Sequence, residues 1–187
     1  MRIISGTFRG KKIFLPKDIR TRPLKDVVKE SIFNIIKHSN KFSKQIENSE
    51  VLDLFAGTGS FGIECLSRGA SKVYFCENYS PAFKLLKKNL LNLNCLNRYN
   101  IFDTSVTDFI NQFDSSQNKF DFIFLDPPYK EQKINILLEV IIERKILNKN
   151  GVLILHRNKK TEDIFPEKLK IFSERIYGLS KIYFIKL

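Results

Sequence analysis

The chain has 187 residues, enough for one domain with a substantial core and too few for two ordinary ones. Its 32 Lys and Arg residues against 20 Asp and Glu residues give a formal net charge of +12. This charge favours an anionic partner such as nucleic acid, although lysines also serve simply to solvate helix surfaces. The three cysteines form no CxxC pair, and no apolar run approaches the roughly 18 residues of a membrane span. We therefore expect a cytoplasmic protein with no disulfide framework, metal site or membrane partner.

The first 22 residues contain seven basic side chains interleaved with apolar ones. Gly6 and Gly10 suit tight turns, so the segment is predicted to form a short β-hairpin with a basic face. A helix after Pro23 would carry an apolar stripe. The hairpin could be a structural flap over a cofactor, but its charge favours contacts to RNA phosphates. The residues predicted to make those contacts are Arg2, Arg9, Lys11, Lys12 and Arg22.

Residues 1–40 are thus predicted to be an extension for RNA binding, and residues 41–187 the main body, within one compact domain. Lys37 to Ser49 is polar and is interpreted as a linker between the two. The stripe on the predicted helix consists of Leu24, Val27, Val28, Ile32, Ile35 and Ile36.

A glycine-rich turn follows the apolar run that begins at Val51. Gly57, Gly59 and Gly62 fit the dinucleotide-binding pattern of strand, turn and helix. A NAD-dependent oxidoreductase is therefore an alternative. Asp53, predicted at the mouth of the turn, would repel a pyrophosphate but attract the ammonium of S-adenosylmethionine, directly or through water. Glu77, twenty residues beyond Gly57, would accept hydrogen bonds from both ribose hydroxyls.

From Glu50 onward, apolar strands alternate with amphipathic helices, which is typical of an α/β sheet with parallel strands. The predicted strands after the first are Lys72 to Cys76, Tyr99 to Phe102, Phe120 to Leu125 and Gly151 to Leu155, with a terminal hairpin around Tyr177 to Ser180. Ligands of such sheets bind at the carboxyl ends of the strands. We therefore expect Asp53, Glu77 and Asp126 to converge on one pocket.

Asp126-Pro127-Pro128-Tyr129 ends the fourth predicted strand. Two prolines exclude both a helix and a paired central strand, so this segment is predicted to be a stiff, extended loop. The Asp126 carboxylate and the Pro127 carbonyl can accept hydrogen bonds, and Tyr129 offers a flat face. Together they suit a planar group bearing an NH2, such as the exocyclic amine of a nucleobase, although Asp and Pro also form plain surface turns.

With these motifs the chain resembles the bacterial 16S ribosomal RNA guanine-N2 methyltransferases of the RsmD type. The resemblance covers nearly the whole length, and its specific part is the basic N-terminal hairpin followed by Thr-Arg-Pro. The matching segments are Arg2-Ile3-Ile4-Ser5-Gly6, Arg9-Gly10-Lys11, Thr21-Arg22-Pro23, Leu52 to Gly59 and Asp126-Pro127-Pro128-Tyr129.

The resemblance implies a seven-stranded, Rossmann-like class I methyltransferase fold with an N-terminal β-hairpin and helix extension. It also implies S-adenosylmethionine as donor, S-adenosylhomocysteine as product, and no metal. The implied catalytic residues are Asp126, Pro127, Pro128 and Tyr129. The implied cofactor-binding residues are Asp53, Phe55, Ala56, Gly57, Thr58, Gly59, Glu77, Asn78, Ser105, Val106 and Asp126.

The chain departs from the family pattern at two places. Where relatives have an acidic residue or Asn to meet the adenine amine, this chain has Ser105, with Asp103 as the alternative contact. After the fifth strand, His156 and Arg157 replace a common Glu. Neither His156 nor His38 lies in a motif, and we predict core, capping or solvent roles for both rather than catalysis.

The sequence thus predicts S-adenosylmethionine-dependent methylation of the N2 amine of a guanine in 16S ribosomal RNA, either free or within a small-subunit assembly particle, with no obligate protein partner. One alternative is methylation of adenine N6 in DNA, since the Asp126 loop can also hold that amine. Another is a catalytically silent RNA-binding assembly factor, although such a protein has no use for an amine-orienting carboxylate.

Overall fold

A computed structural model describes residues 1–18, 24–116, 118–128 and 134–187. Within them, one sheet of seven strands has helices on both faces. The strands are β1 (Glu50–Leu54), β2 (Lys72–Cys76), β3 (Tyr99–Phe102), β4 (Phe120–Leu125), β5 (Leu147–Asn158), β6 (Lys170–Tyr177) and β7 (Ser180–Lys186). The helices are α1 (Asp26–His38), α2 (Ser60–Ser67), α3 (Ser80–Leu91), α4 (Val106–Gln112) and α5 (Ile134–Glu143), with a 3₁₀ turn at Leu96–Arg98.

The strand order is β3-β2-β1-β4-β5-β7-β6. The first five strands in this order are parallel, and β7 runs antiparallel to both β5 and β6. This arrangement confirms the predicted Rossmann-like α/β fold, including the terminal hairpin. None of the helices in the described ranges is both long and apolar enough to cross a bilayer.

Burial explains why the strands could be recognised. All six residues of β4 are buried, as expected for a central parallel strand covered on both faces. The predicted bounds of β2, β3 and β4 are confirmed, whereas β5 begins at Leu147 rather than at Gly151. The register of the β4–β5 pairing shifts between Phe120 and Phe122, in the early part of β5 that the sequence did not predict.

The sheet order reverses around β1, which pairs with β2 on one side and with β4 on the other. Leu54, the last residue of β1, pairs with Cys76 and with Leu125, the last residues of those strands. The segments that follow all three strands therefore leave the sheet at the same edge. Such a reversal is where ligands bind in open α/β sheets.

The N-terminal segment does reverse direction, but its ladder is reduced to a single antiparallel bridge between Arg2 and Lys12. The Ile3 and Ile13 side chains are buried in the same apolar cluster as α1, α2 and the sheet. The turn between them is anchored to α2, since the Thr7 N–H donates to the Ser67 carbonyl at 2.8 Å. The predicted hairpin is thus a minimal one that packs on the body.

Two charged side chains are fully buried where the N-terminal segment meets α1 and α2. Lys29 and Glu64 are each 0% exposed, with 3.9 Å between Nζ and Oε2. Glu64 also accepts hydrogen bonds from the backbone N–H groups of Ile4 at 2.8 Å and Ser5 at 3.0 Å, and from Arg68 Nε at 2.8 Å. Burial lowers the pKa of Lys29, against the opposing attraction of Glu64 and of Asp26. Glu64 therefore joins the extension to the helix that follows the glycine turn.

The predicted stripe on α1 is only partly correct. Val28, Ile32 and Ile36 are buried as expected, but Val27 is 69% exposed. Phe33 is buried instead, and its ring lies 5.2 Å from that of Phe61 on α2.

The Phe61 ring in turn stacks at 3.9 Å on that of Phe124 in β4. Three nearly parallel rings, from Phe33 through Phe61 to Phe124, thus link the extension to β4, the strand that precedes Asp126.

The segment from Lys37 to Ser49 packs on the sheet and is no free linker. Phe42 and Ile46 are each 6% exposed. The Phe42 ring makes edge contacts with those of Phe172 on β6 and Phe184 on β7, at 5.2 and 5.5 Å. The polar pattern was misleading because only these two apolar side chains anchor the segment.

Candidate active site

The turn between β1 and α2 takes an unusual backbone conformation. Gly57 and Gly59 have φ angles of 57° and 86°, in the region that favours glycine. Phe55 also has a positive φ, 61°, which costs a non-glycine residue about 1 to 3 kcal/mol. The turn is held by hydrogen bonds from the Ala56 N–H to the Cys76 carbonyl at 3.0 Å and from the Gly59 N–H to the Ala56 carbonyl at 2.8 Å. Strained backbone maintained in this way is typical of ligand sites.

Gly62 serves a different purpose, which is close packing. A Cβ at this position would lie 2.3 Å from Cε1 of Phe75 on β2, so a larger residue would push α2 off the sheet. Its N–H donates to Asp53 Oδ2 at 2.9 Å. Gly62 therefore fixes both the helix and a carboxylate beneath the turn.

Glu77, directly after β2, faces the turn. Its Oε2 accepts from the Gly57 N–H and its Oε1 from the Tyr79 N–H, both at 2.7 Å. These contacts orient the half-buried carboxylate and leave each oxygen a further lone pair. Glu77 can therefore still accept hydrogen bonds from a ligand.

A cavity of about 460 Å³ opens beside Glu77. Its volume is in the range typical of small-molecule sites. Five of the predicted cofactor residues line it: Phe55, Glu77, Asn78, Ser105 and Val106. The remaining walls are Cys76, Thr104, Thr107, Ile136, Leu137 and Val140. The predicted residues Ala56, Gly57, Thr58 and Gly59 form the turn next to Phe55 and are not part of the walls.

The Ser105 hydroxyl is already engaged in the fold. It accepts from the Asp108 N–H at 3.1 Å and donates to Asp108 Oδ2 at 2.6 Å, which caps the first turn of α4. Ser105 thus lines the cavity as predicted, but its hydroxyl caps α4. The alternative residue, Asp103, is exposed.

Asp53 was predicted to lie at the mouth of the turn, but it lies beneath the turn. The side chain is only 1% exposed, because it points under the turn to the Gly62 N–H. Burial raises the pKa of Asp53 to about 8; the Gly62 hydrogen bond opposes this, while Asp126 and Glu77 add to it. No basic side chain in the described residues forms an ion pair with it. A positively charged ligand group would therefore be favoured here.

The raised pKa of Asp53 predicts a specific pH dependence of stability. Between about pH 4 and pH 8 the folded protein keeps a proton on Asp53 that the unfolded chain has lost, so stability falls as the pH rises. Asn cannot ionise, yet its carbonyl can still accept the Gly62 N–H. We expect the melting temperature of Asp53→Asn to exceed that of the wild type by a margin that widens up to about pH 8 and is constant above it.

Thermal melts across this pH range measure that margin. Glu143→Gln is the control, since Glu143 is exposed on α5 and should give a small margin at every pH. A constant margin for Asp53→Asn would contradict the pKa assignment.

Asp126 follows β4 at the same edge and is half-buried. Its Oδ1 lies 2.7 Å from Nδ1 of His156, the residue after Leu155 on β5. Pro127 is buried and Pro128 exposed, which agrees with an extended loop leaving the sheet, while Tyr129 lies outside the described residues. Asp126 and Glu77 both lie near enough to Asp53 to raise its pKa, but of the three carboxylates only Glu77 lines the cavity.

His156 lies in no sequence motif, and its contact with Asp126 was not predicted. The imidazole is 5% exposed, and its Nε2 has no hydrogen-bond partner among the described residues. Leu125 of β4 pairs with Leu155 of β5, so the residues that follow them, Asp126 and His156, are neighbours. Knowledge of that register would have revealed the contact.

The basic residues predicted for the extension form an exposed face. Arg2, Arg9, Lys11 and Lys12 are all exposed, while the adjacent residues Ile3 and Ile13 are buried. The Lys11 ammonium lies 5.3 Å from the centroid of the Phe8 ring, and that of Lys12 5.7 Å from the centroid of Phe14. Arg22 lies outside the described residues.

One side chain connects this face to the glycine-rich turn. Asn89 on α3 accepts from the Phe14 N–H at 2.8 Å and donates to the Phe14 carbonyl at 3.1 Å. It also donates to the Thr58 carbonyl at 3.0 Å. The end of the basic segment is therefore fixed beside the turn. Within the described ranges, no group of three or more His, Cys, Asp or Glu side chains is placed to hold a metal ion.

Comparison with known proteins relates this arrangement to one family. Residues 1–186 match the family model described as conserved hypothetical protein 95. The chain is 35% identical to ribosomal RNA small subunit methyltransferase D of Haemophilus influenzae over 180 residues, covering 96% of this chain and 90% of that protein. The protein of the same name from Buchnera aphidicola of Acyrthosiphon pisum is 31% identical, with 97% and 90% covered.

The chain belongs to the RsmD family. A solved Haemophilus influenzae structure, named provisionally as the methylase HI0767, has 34% identity and a TM-score of 0.76 to this RsmD-family chain, covering 98% of it and 96% of the solved chain. The likeness spans both the extension and the sheet.

Proposed function

We propose that this protein transfers a methyl group from S-adenosylmethionine to the exocyclic N2 amine of a guanine in 16S ribosomal RNA. The observation that carries the proposal is that two carboxylates in different environments lie at the same edge of the sheet. Asp53 is buried without a basic partner beneath the glycine turn, and Asp126 is half-exposed on the neighbouring loop. The names of the family relatives support methyl transfer to small-subunit ribosomal RNA.

The donor side of the site fits S-adenosylmethionine. Burial raises the pKa of Asp53 to about 8, so the free protein keeps its proton at neutral pH, and the ammonium of the amino-acid portion would favour the ionised carboxylate. Glu77 keeps lone pairs for the ribose hydroxyls, and the cavity walls at Phe55 and Val106 suit the adenine ring. When bound, this cofactor supplies an electrophilic methyl group on a sulfonium.

The acceptor side must increase the nucleophilicity of an amine whose lone pair is delocalised into the base. Asp126 Oδ2 and the Pro127 carbonyl can accept hydrogen bonds from the two N–H groups of the amine. These bonds raise its electron density and fix its direction, which are the electrostatic and positional contributions to catalysis. Once the nitrogen carries the methyl group it is strongly acidic, and Asp126 can receive its proton. We assign Tyr129 to stacking on the extruded base.

Binding of the RNA is assigned to the basic face of the extension. Its four exposed cations project from a backbone that is fixed on α2 through Ser67 and beside the turn through Asn89. Cations held in this way contact phosphates and set the position of the RNA without reading its sequence.

Replacing Arg2, Arg9, Lys11 and Lys12 together by Gln should therefore weaken RNA binding. Each lost phosphate contact should reduce the slope of log affinity against log salt by about 0.7 to 0.9. Affinity for S-adenosylmethionine should not change, since these side chains lie outside the cavity. Filter binding at several salt concentrations measures the slope.

A matched control removes the same charge from the region of strands β4, β5 and β6, which lie far from residues 1–12 in the sequence. The exposed residues Lys119, Lys145, Lys149 and Lys170 lie at or before the amino ends of β4, β5 and β6. Replacing these four by Gln should change RNA affinity less and leave the slope nearly unaltered. Equal effects of the two quadruple variants would mean that the protein attracts RNA only through its net charge.

The proposed reaction is tested with tritium-labelled S-adenosylmethionine and 16S ribosomal RNA transcribed without modification, offered free and assembled with small-subunit proteins. We expect label in at least one of the two RNA forms. Nuclease digestion and mass spectrometry should then identify N2-methylguanosine. Label recovered as N6-methyladenosine, or in DNA and not in RNA, would contradict the proposal, as would binding of RNA with no transfer to any substrate.

A further inference from the structure

The Asp126 carboxylate is poorly held by its own segment. It lies one residue beyond β4, and the hydrogen bond from its N–H to the Leu54 carbonyl is long, at 3.5 Å. The residue that contacts this carboxylate, His156, is held more firmly. His156 lies within β5, where it pairs with Ile182 of β7, and its side chain is 5% exposed.

The contact also indicates which nitrogen of the imidazole carries a proton. A carboxylate oxygen is an acceptor, so Nδ1 donates to Asp126 Oδ1 across 2.7 Å. A proton on Nε2 would be a second buried donor, and the described residues provide no acceptor for it. The tautomer protonated at Nδ1 is therefore favoured.

We propose that His156 is a positioning residue for Asp126. By occupying Oδ1 it fixes the rotation of the carboxylate and leaves Oδ2 as the oxygen directed to the substrate amine. Since the amine must be aligned closely with the methyl group, loss of this constraint should slow turnover more than it weakens binding. The inference deepens the proposed function and rests on the assignment of Asp126 to the amine.

Two substitutions separate positioning from simple packing. The amide nitrogen of Asn can occupy the place of Nδ1, whereas that of Gln reaches toward Nε2. We expect His156→Asn to keep kcat within about threefold of the wild type and His156→Gln to lose about tenfold or more. In both variants the KM for RNA and the Kd for S-adenosylhomocysteine should stay within about threefold, because His156 contacts neither the basic face nor the cavity. His38→Asn and His38→Gln are matched controls at an exposed histidine, and neither should change kcat.

The unaltered protein provides a second, independent measurement. It has only two histidines, so its ¹⁵N imidazole spectrum contains the signals of two side chains. The signals that remain in His38→Asn are those of His156. We expect His156 to show a protonated Nδ1 and an unprotonated Nε2, with the Nδ1 signal shifting in Asp126→Asn. An unprotonated Nδ1 that is insensitive to Asp126→Asn would overturn the inference even if the His156 variants did not fold.

The outcomes distinguish failure of the inference from failure of the proposed function. If the wild type methylates guanine but both His156 variants match it, or both lose the same activity, the positioning role is wrong and the function stands. If the wild type methylates no RNA, the proposed function fails, and the spectrum still decides whether His156 holds Asp126.

Discussion

Asp126→Asn is expected to lower kcat by about 100-fold or more, the usual consequence of removing an electrostatic or proton-accepting group from a reacting centre. The Asn side chain keeps the shape of Asp but loses the charge that raises electron density on the amine. The Kd for S-adenosylmethionine should stay within about threefold, because the cavity is lined by other residues. Single-turnover transfer of labelled methyl and calorimetry measure the two quantities.

The matched control is Asp114→Asn, an exposed carboxylate in the turn after α4. Its kcat should be that of the wild type. If Asp126→Asn retained turnover within threefold, the amine would have to be oriented by other groups and the proposed mechanism would be wrong. A large loss of cofactor affinity in Asp126→Asn would instead move Asp126 to the donor side of the site.

The second large effect is expected for stability, at the buried pair under the extension. Glu64→Ala should reduce the free energy of unfolding by about 3 to 5 kcal/mol, since it leaves the buried Lys29 with only the half-exposed Asp26 as an ion-pair partner. It also removes the acceptor for the backbone N–H groups of Ile4 and Ser5. Urea denaturation followed by circular dichroism measures the change.

Glu174→Ala provides the comparison with an exposed pair. Glu174 lies 3.4 Å from Lys181 and is 40% exposed, so its loss should reduce the free energy of unfolding by less than about 1 kcal/mol. In the double variant Lys29→Met/Glu64→Leu no buried ammonium is left without its carboxylate, although Asp26 and Arg68 each lose an ion pair, and it should be more stable than Glu64→Ala. A loss of under about 1 kcal/mol for Glu64→Ala would show that solvent reaches Lys29.

Much of the fold could be predicted because its central strands are buried on both faces and are bounded by turn residues. Phe120–Leu125 is apolar except at Asp121, and two prolines follow Asp126, a pattern that favours a short buried strand. The convergence of Asp53, Glu77 and Asp126 followed from parallel strands alone, since their carboxyl ends share one edge.

What could not be predicted depends on register and on pairs that are distant in sequence. The contact of His156 with Asp126 requires the pairing of Leu125 with Leu155, and the irregular start of β5 hides that register from the sequence. Lys29 looks like an ordinary exposed helix lysine, because its partner Glu64 is 35 positions downstream on another helix. Asp53 was predicted to be accessible to a ligand because the sequence does not show that its carboxylate turns toward the Gly62 N–H.

The three stacked rings of Phe33, Phe61 and Phe124 have a consequence for how an RNA can be accommodated. Close-packed interiors are stiff and do not deform gradually, so the extension, the helix after the turn and the strand behind Asp126 move as one body. The distance between the basic face and Asp126 is then fixed before any substrate arrives. Under the proposed function these described parts do not close around the target, so the RNA has to change shape instead, and extruding a stacked, paired base costs a few kcal/mol. We therefore expect the proposed substrate to be a guanine that is already unpaired or loosely stacked.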